Sequence, residues 1–179
     1  MWSLIKHRRS ALNAVASVLL ATSLVACGFE LRGQSDQTDT LSRYSVALVS
    51  AAPSSEFSGQ LRSALQRQGA SLSSTSDAGL TLYVDLETFE QRSLSLTARA
   101  RAAEIELRAS VMFSLKLDGE WLIENETVTV VDQMLNDPLN VVGKTEELRL
   151  LQEELRTTLV AALTRRLNYT IAAHHANQT

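Results

Sequence analysis

The hydrophobic pattern divides the chain into an uncharged leader and a patterned body. No residue from 11 to 26 is charged, and Leu12, Val15, Val18, Leu19, Leu20, Leu24 and Val25 dominate that stretch. Beyond it the apolar residues become periodic. Val46, Leu48 and Val49 mark a first strand over residues 44–50. Phe57, Leu61, Ala64 and Leu65 recur at helical spacing after Pro53-Ser54-Ser55-Glu56, and Gly69 is a natural stop. A serine there caps free backbone N–H groups, and Glu56 suits the positive helix end. Leu80, Leu82, Val84 and Leu86 alternate with polar residues, as in a half-buried strand. Residues 91–98 are polar and read as a turn or a ragged strand end. Alternation then runs from Ile105 to Leu117. Asp118-Gly119 is a two-residue hairpin signal, and residues 121–132 return. Asn136-Asp137-Pro138 breaks the pattern. Thr145-Glu146-Glu147 opens a second helix with threonine as its cap. Its stripe is Leu148, Leu151, Leu155, Leu159, Ala162, Leu163 and Leu167.

The order β-α-β-β-β-α predicts an α+β fold. Its expected form is a two-layer sandwich, with two helices on one face of a mostly antiparallel four-stranded sheet.

The leader changes this picture. Lys6, Arg8 and Arg9 precede the apolar run, giving the charged start and apolar middle of a secretion signal. The run falls short of the about 20 residues a permanent span needs. An uncleaved signal anchor is the alternative. Leu24-Val25-Ala26-Cys27 decides for cleavage, because small or aliphatic residues before a cysteine match the lipobox of lipoprotein signal peptidase. The thiol carries diacylglycerol as a thioether, and the amine freed by cleavage can be acylated. Each buried CH₂ contributes about 0.8 kcal/mol, so two or more chains anchor stably. The plain alternative is a free thiol in an ordinary leader, but this is the only cysteine and it stands where a signal ends. The expected organisation is a cleaved signal (1–26), a lipidated tether (27–42), an α+β domain (43–173) and a frayed tail (174–179).

Charge and composition exclude several functions. The formal net charge is −3, and the leader contains basic residues but no acidic ones, so the mature part is more acidic still. A basic nucleic-acid surface is not supported. One cysteine permits no internal disulfide, so the domain relies on its core. His7 lies in the leader, and His174 and His175 lie in the tail. Neighbouring histidines do not share a helix face, which weakens them as a metal site. No cofactor is expected beyond the lipid on Cys27. With no free thiol, no placed histidine and no phosphate-binding glycine motif, an envelope hydrolase has little to stand on.

Three constellations remain. Glu104, Glu106 and Arg108 share a strand face at period two. Paired carboxylates can do acid–base work, but a solvated row with a charge pair is the ordinary reading. Arg99 and Arg101 stand at the start of the long strand among small residues. Arginine forks suit phosphates; the alternative is a charged strand end that discourages edge pairing. Lys144 lies just before the second helix, where free N–H groups favour anions, or is simply a solvated loop lysine.

Cys27-Gly28-Phe29-Glu30-Leu31-Arg32-Gly33 resembles the start of mature LPS-assembly lipoproteins, the LptE family. The element order, the Asn136-Asp137-Pro138 turn and the following Lys144 are similar too. The resemblance implies an outer-membrane lipoprotein on the periplasmic side, in complex with a large LptD-type β-barrel. It would plug the barrel, support its assembly and bind lipopolysaccharide in transit, without catalysing a reaction. Gly28 fits, since aspartate after the cysteine is the inner-membrane retention signal in many Gram-negative bacteria. The resemblance also implies positive charge on LPS phosphates at Lys144 and, through the loop entering the long strand, at Arg99 and Arg101. The loop departs from the family in reading Ala98-Arg99-Ala100 where glycine is frequent. A membrane-tethered periplasmic module for lipid or peptide, without a barrel, is the competing reading. A deep apolar pocket between helices and sheet would mark it.

Overall fold

The computed structural model describes residues 40–96, 102–135 and 141–178. Cys27, Arg99 and Arg101 lie outside them. The chain enters through a 3₁₀ turn, Leu41–Arg43, and continues into β1, Ser45–Ser50. Leu41 is fully buried in the core, so the folded part begins inside the stretch expected to be tether.

Helix α1, Glu56–Arg67, starts where the capping signal places it. The Ser55 side chain accepts the Ser58 N–H at 3.2 Å, satisfying one of the unpaired donors of the first turn. Phe57, Leu61, Ala64 and Leu65 are buried as their spacing requires. Gly69 ends the turn with φ +83°, and a Cβ there would lie 2.9 Å from the Ser42 Cβ. Glycine alone meets both demands.

The strands are β2 (Ser71–Leu72), β3 (Leu80–Val84), β4 (Thr88–Leu96), β5 (Ala102–Leu117) and β6 (Glu120–Leu135). They form one mixed six-stranded sheet, larger than the expected four antiparallel strands. β1 pairs in parallel with β2 and β3, because α1 carries the chain back between β1 and β3. The other pairs are antiparallel.

Of the two readings of 91–98, a turn or a ragged strand end, the strand holds as far as Leu96, where β4 ends. β3 covers β5 only over Phe113–Leu117, which leaves the rest of that edge with unpaired backbone groups. β4 takes over along the same edge, from Thr88 opposite Ser110 to Leu96 opposite Ala102. Its polar residues fit because they meet opposite charges: Glu90 faces Arg108, and Arg92 faces Glu106. The β5–β6 hairpin turns at Asp118 (φ 47°) and Gly119 (φ 90°), both left-handed as an Asp-Gly turn requires.

Helix α2, Val141–Gln178, is longer than expected at both ends. It begins four residues before Thr145, so that threonine is not its cap. Gly143 costs about 1 kcal/mol relative to alanine but does not stop it. At the other end it runs through His174 and His175, where a frayed tail was expected. Both helices pack on the same face of the sheet. One buried cluster joins Phe57, Leu61 and Leu65 of α1 with Leu155, Leu159, Leu163 and Leu167 of α2 and the inward residues of β1, β3 and β5. The helices run in the same direction: Arg156 meets Glu56 at the start of α1, and Asn168 meets Gln68 just past its end.

Candidate functional site

Three strands end together at one end of the sheet. Leu96, the last residue of β4, pairs with Ala102, the first of β5. Glu104 pairs with Leu135, the last of β6. Residues 97–101 link the paired ends of β4 and β5, and residues 136–140 follow the end of β6 in the sequence. Arg99 and Arg101 belong to the first of these segments and lie outside the described residues. Lys144 does not sit in a loop. It is the fourth residue of α2, partly exposed, in the turn whose N–H groups have no helical partner.

Two arginines, Arg108 of β5 and Arg149 of α2, pair with carboxylates. Arg149 bridges Glu146 at 2.7 Å and Glu153 at 2.5 Å along the exposed face of α2. Its hydrogen bond holds the Glu146 carboxyl below its ordinary value of 4.5. Arg108 Nη2 donates to Glu106 Oε1 at 3.3 Å, so two members of the Glu104–Glu106–Arg108 row form a charge pair. Arg108 Nε is buried without a partner. Among the described residues no carboxylate forms an ion pair with Lys144. A cation there adds to the positive end of the helix dipole, so this terminus favours an anion. No group of metal-ligating side chains occurs among the described residues.

The opposite end of α2 holds the point where the chain enters the fold. Tyr44 Oη lies 2.5 Å from His175 Nε2, and the two rings stack. Burial, with Asp118 close by, pushes the Tyr44 hydroxyl above its ordinary value of 10. From Lys144 to His175 the helix spans about 47 Å at its usual rise. The candidate anion site and the point where the chain enters the fold thus occupy opposite ends. This contact escaped the sequence reading, because Tyr44 and His175 are joined only by folding. The continued apolar spacing through Ile171, which is fully buried, was the signal that the helix runs on.

The fold defines a class first. A rare lipoprotein B from Shewanella oneidensis superposes with a TM-score of 0.65 at 22% identity, covering 75% of this chain and 98% of that one. Lipoprotein B from Nitrosomonas europaea gives 0.65 at 19% identity, covering 82% and 94%. A minor lipoprotein from Acinetobacter baumannii gives 0.58 at 25% identity, covering 70% and 90%. No match is found among curated proteins. The family described as "LptE: Lipopolysaccharide-assembly" matches residues 44–167. The chain therefore belongs to the LptE family.

Proposed function

We propose that this protein is an outer-membrane lipoprotein, anchored through Cys27, that plugs and supports assembly of an LptD-type β-barrel and binds lipopolysaccharide on its way to the cell surface. Family membership over residues 44–167 carries the reading. The lipobox and the Cys27-Gly28 start support the anchor and its membrane. No helix among the described residues is long and apolar enough to cross a membrane.

The geometry supports a plug. α2 separates the tether entry from Lys144 by about 47 Å, more than the roughly 30 Å of bilayer hydrocarbon. A domain tethered at the periplasmic leaflet can therefore present Lys144 to lipid phosphates at the far end of a lumen, and the family resemblance adds Arg99 and Arg101 to the same role. No reaction is needed: the cations bind and release. The competing free lipid-binding module has less support. Leu61, Leu82, Phe113, Leu115 and Leu159 are all nearly or fully buried and fill the space between the layers.

Affinity purification of the native lipoprotein from membranes tests the reading. A stoichiometric β-barrel partner is the expected result. Recovery of the intact, lipidated protein with no barrel would refute the plug.

A further inference from the structure

The outer face of the sheet, away from the helices, carries a second site unrelated to the anionic contacts above. Tyr83 of β3 packs against Trp121 of β6, ring centroids 5.5 Å apart and tilted by 52°. Lys116 Nζ lies 4.1 Å from the Trp121 ring centre and braces it. Trp121 is still 45% exposed. Tyr83 also lines a neighbouring open cavity of about 330 Å³, with Val49, Asp85, Met112, Ser114 and Asn125. That volume falls in the range of small-molecule sites.

The wall of this cavity is irregular. β5 and β6 slip register between Phe113 and Leu115 and again before Lys116, around the contact of Ser114 with Asn125. Asn125 adopts φ 51°, and its N–H is held by Ser114 Oγ at 2.9 Å. Bulges of this kind re-aim side chains. Asp85 Oδ1 accepts the Leu86 N–H at 2.8 Å, a local bond that orients the carboxylate.

The chemistry selects the occupant. The exposed Trp121 ring and the half-buried Tyr83 ring, with apolar Val49 and Met112, suit a flat ring with C–H groups on its face. Asp85, Ser114 and Asn125 suit neighbouring hydroxyls. An anion would meet Asp85. Over β3 and β5 a partner strand has no edge to join, since β3 lies between β1 and β5, and β5 lies between β3 and β6; the open edge beside Trp121 is the outer side of β6, which pairs with β5 alone among the described residues. We infer that the Tyr83–Trp121 platform and its cavity bind a neutral pyranose ring. That the sugar belongs to lipopolysaccharide rests on the function proposed above; that the site takes a sugar does not.

The test titrates the full lipoprotein, in a detergent without a sugar head group, by calorimetry. The probes are LPS core oligosaccharide stripped of acyl chains and phosphates, and maltoheptaose. Saturable binding of the core oligosaccharide alone is the expected result. Equal binding of both supports a general saccharide site. Trp121→Ala and Asp85→Asn should each weaken binding by about tenfold or more. The Trp121 indole N–H resonance of the unaltered protein should shift on titration, which keeps the test valid if a variant misfolds. No saturable binding of either sugar, a stationary indole resonance, or undiminished affinity in both folded variants overturns the site. Because the probes lack phosphate and lipid, loss of intact LPS binding in a Lys144 variant is a separate outcome.

Discussion

At the scale of single residues, one cross-element ion pair shows what an exposed charge contributes. Glu126 of β6 accepts two bonds from Arg166 of α2, at 2.7 and 2.8 Å. The Arg166 hydrogen bond holds the Glu126 carboxyl below its ordinary value of 4.5. A carboxyl depressed in the folded state contributes stability above about pH 4.5, and that contribution is lost as pH falls through its folded value. The pair is more than one-third exposed, so solvent screens it and the effect is small. Glu126→Gln is therefore expected to flatten the acid limb of the stability profile below pH 4.5. Urea midpoints measured from pH 3 to 7 check this, and an unchanged acid limb would exclude the pair as a contributor.

At the scale of elements, Arg156 does more than any surface charge. Its Nε approaches both Glu87 oxygens, at 2.9 and 3.0 Å, and Nη1 bonds Glu56 at 2.6 Å. It also lies over the Phe89 ring. One guanidinium thus ties α2 to the start of α1 and to the link between β3 and β4. Arg156 and Glu87 are only 12% and 16% exposed, so removing the arginine strands a half-buried carboxylate. Arg156→Ala is expected to destabilise by about 2 kcal/mol, between exposed and fully buried pairs. Adding Glu87→Gln should restore part of that loss. Denaturant midpoints at constant slope measure both. The elements themselves were unequally legible. α1 was readable because cap, stripe and stop are all local. β4 was not, because its polar residues gain from charges on β5 that only pairing brings opposite.

At the scale of the whole molecule, the long α2 sets the separation that the proposed function uses. Replacing Arg99, Arg101 and Lys144 together by neutral residues is expected to weaken LPS binding while leaving the far-ultraviolet circular dichroism unchanged. Each exposed charge contributes only about 0.2–1 kcal/mol, so the triple change is the measurable one. Unchanged LPS affinity in the folded triple variant would remove these residues as the site.

The sequence by itself determined what depends on neighbours along the chain. Those features are the capped α1, the Asp118-Gly119 turn, the alternation of β5 and the apolar stripe of α2. Even the α+β class follows, since amphipathic helices and alternating strands must bury their apolar faces together. Tertiary structure decided whatever depends on groups distant in the chain. It made the sheet mixed, because α1 returns the chain parallel to β1. It recruited β4 to satisfy the open edge of β5, and it drew Leu41 into the core. It set Tyr44 against His175 and placed Lys144 within the first turn of α2 rather than before it. Local pattern fixes which face of an element is apolar, but only packing shows which distant partner completes it.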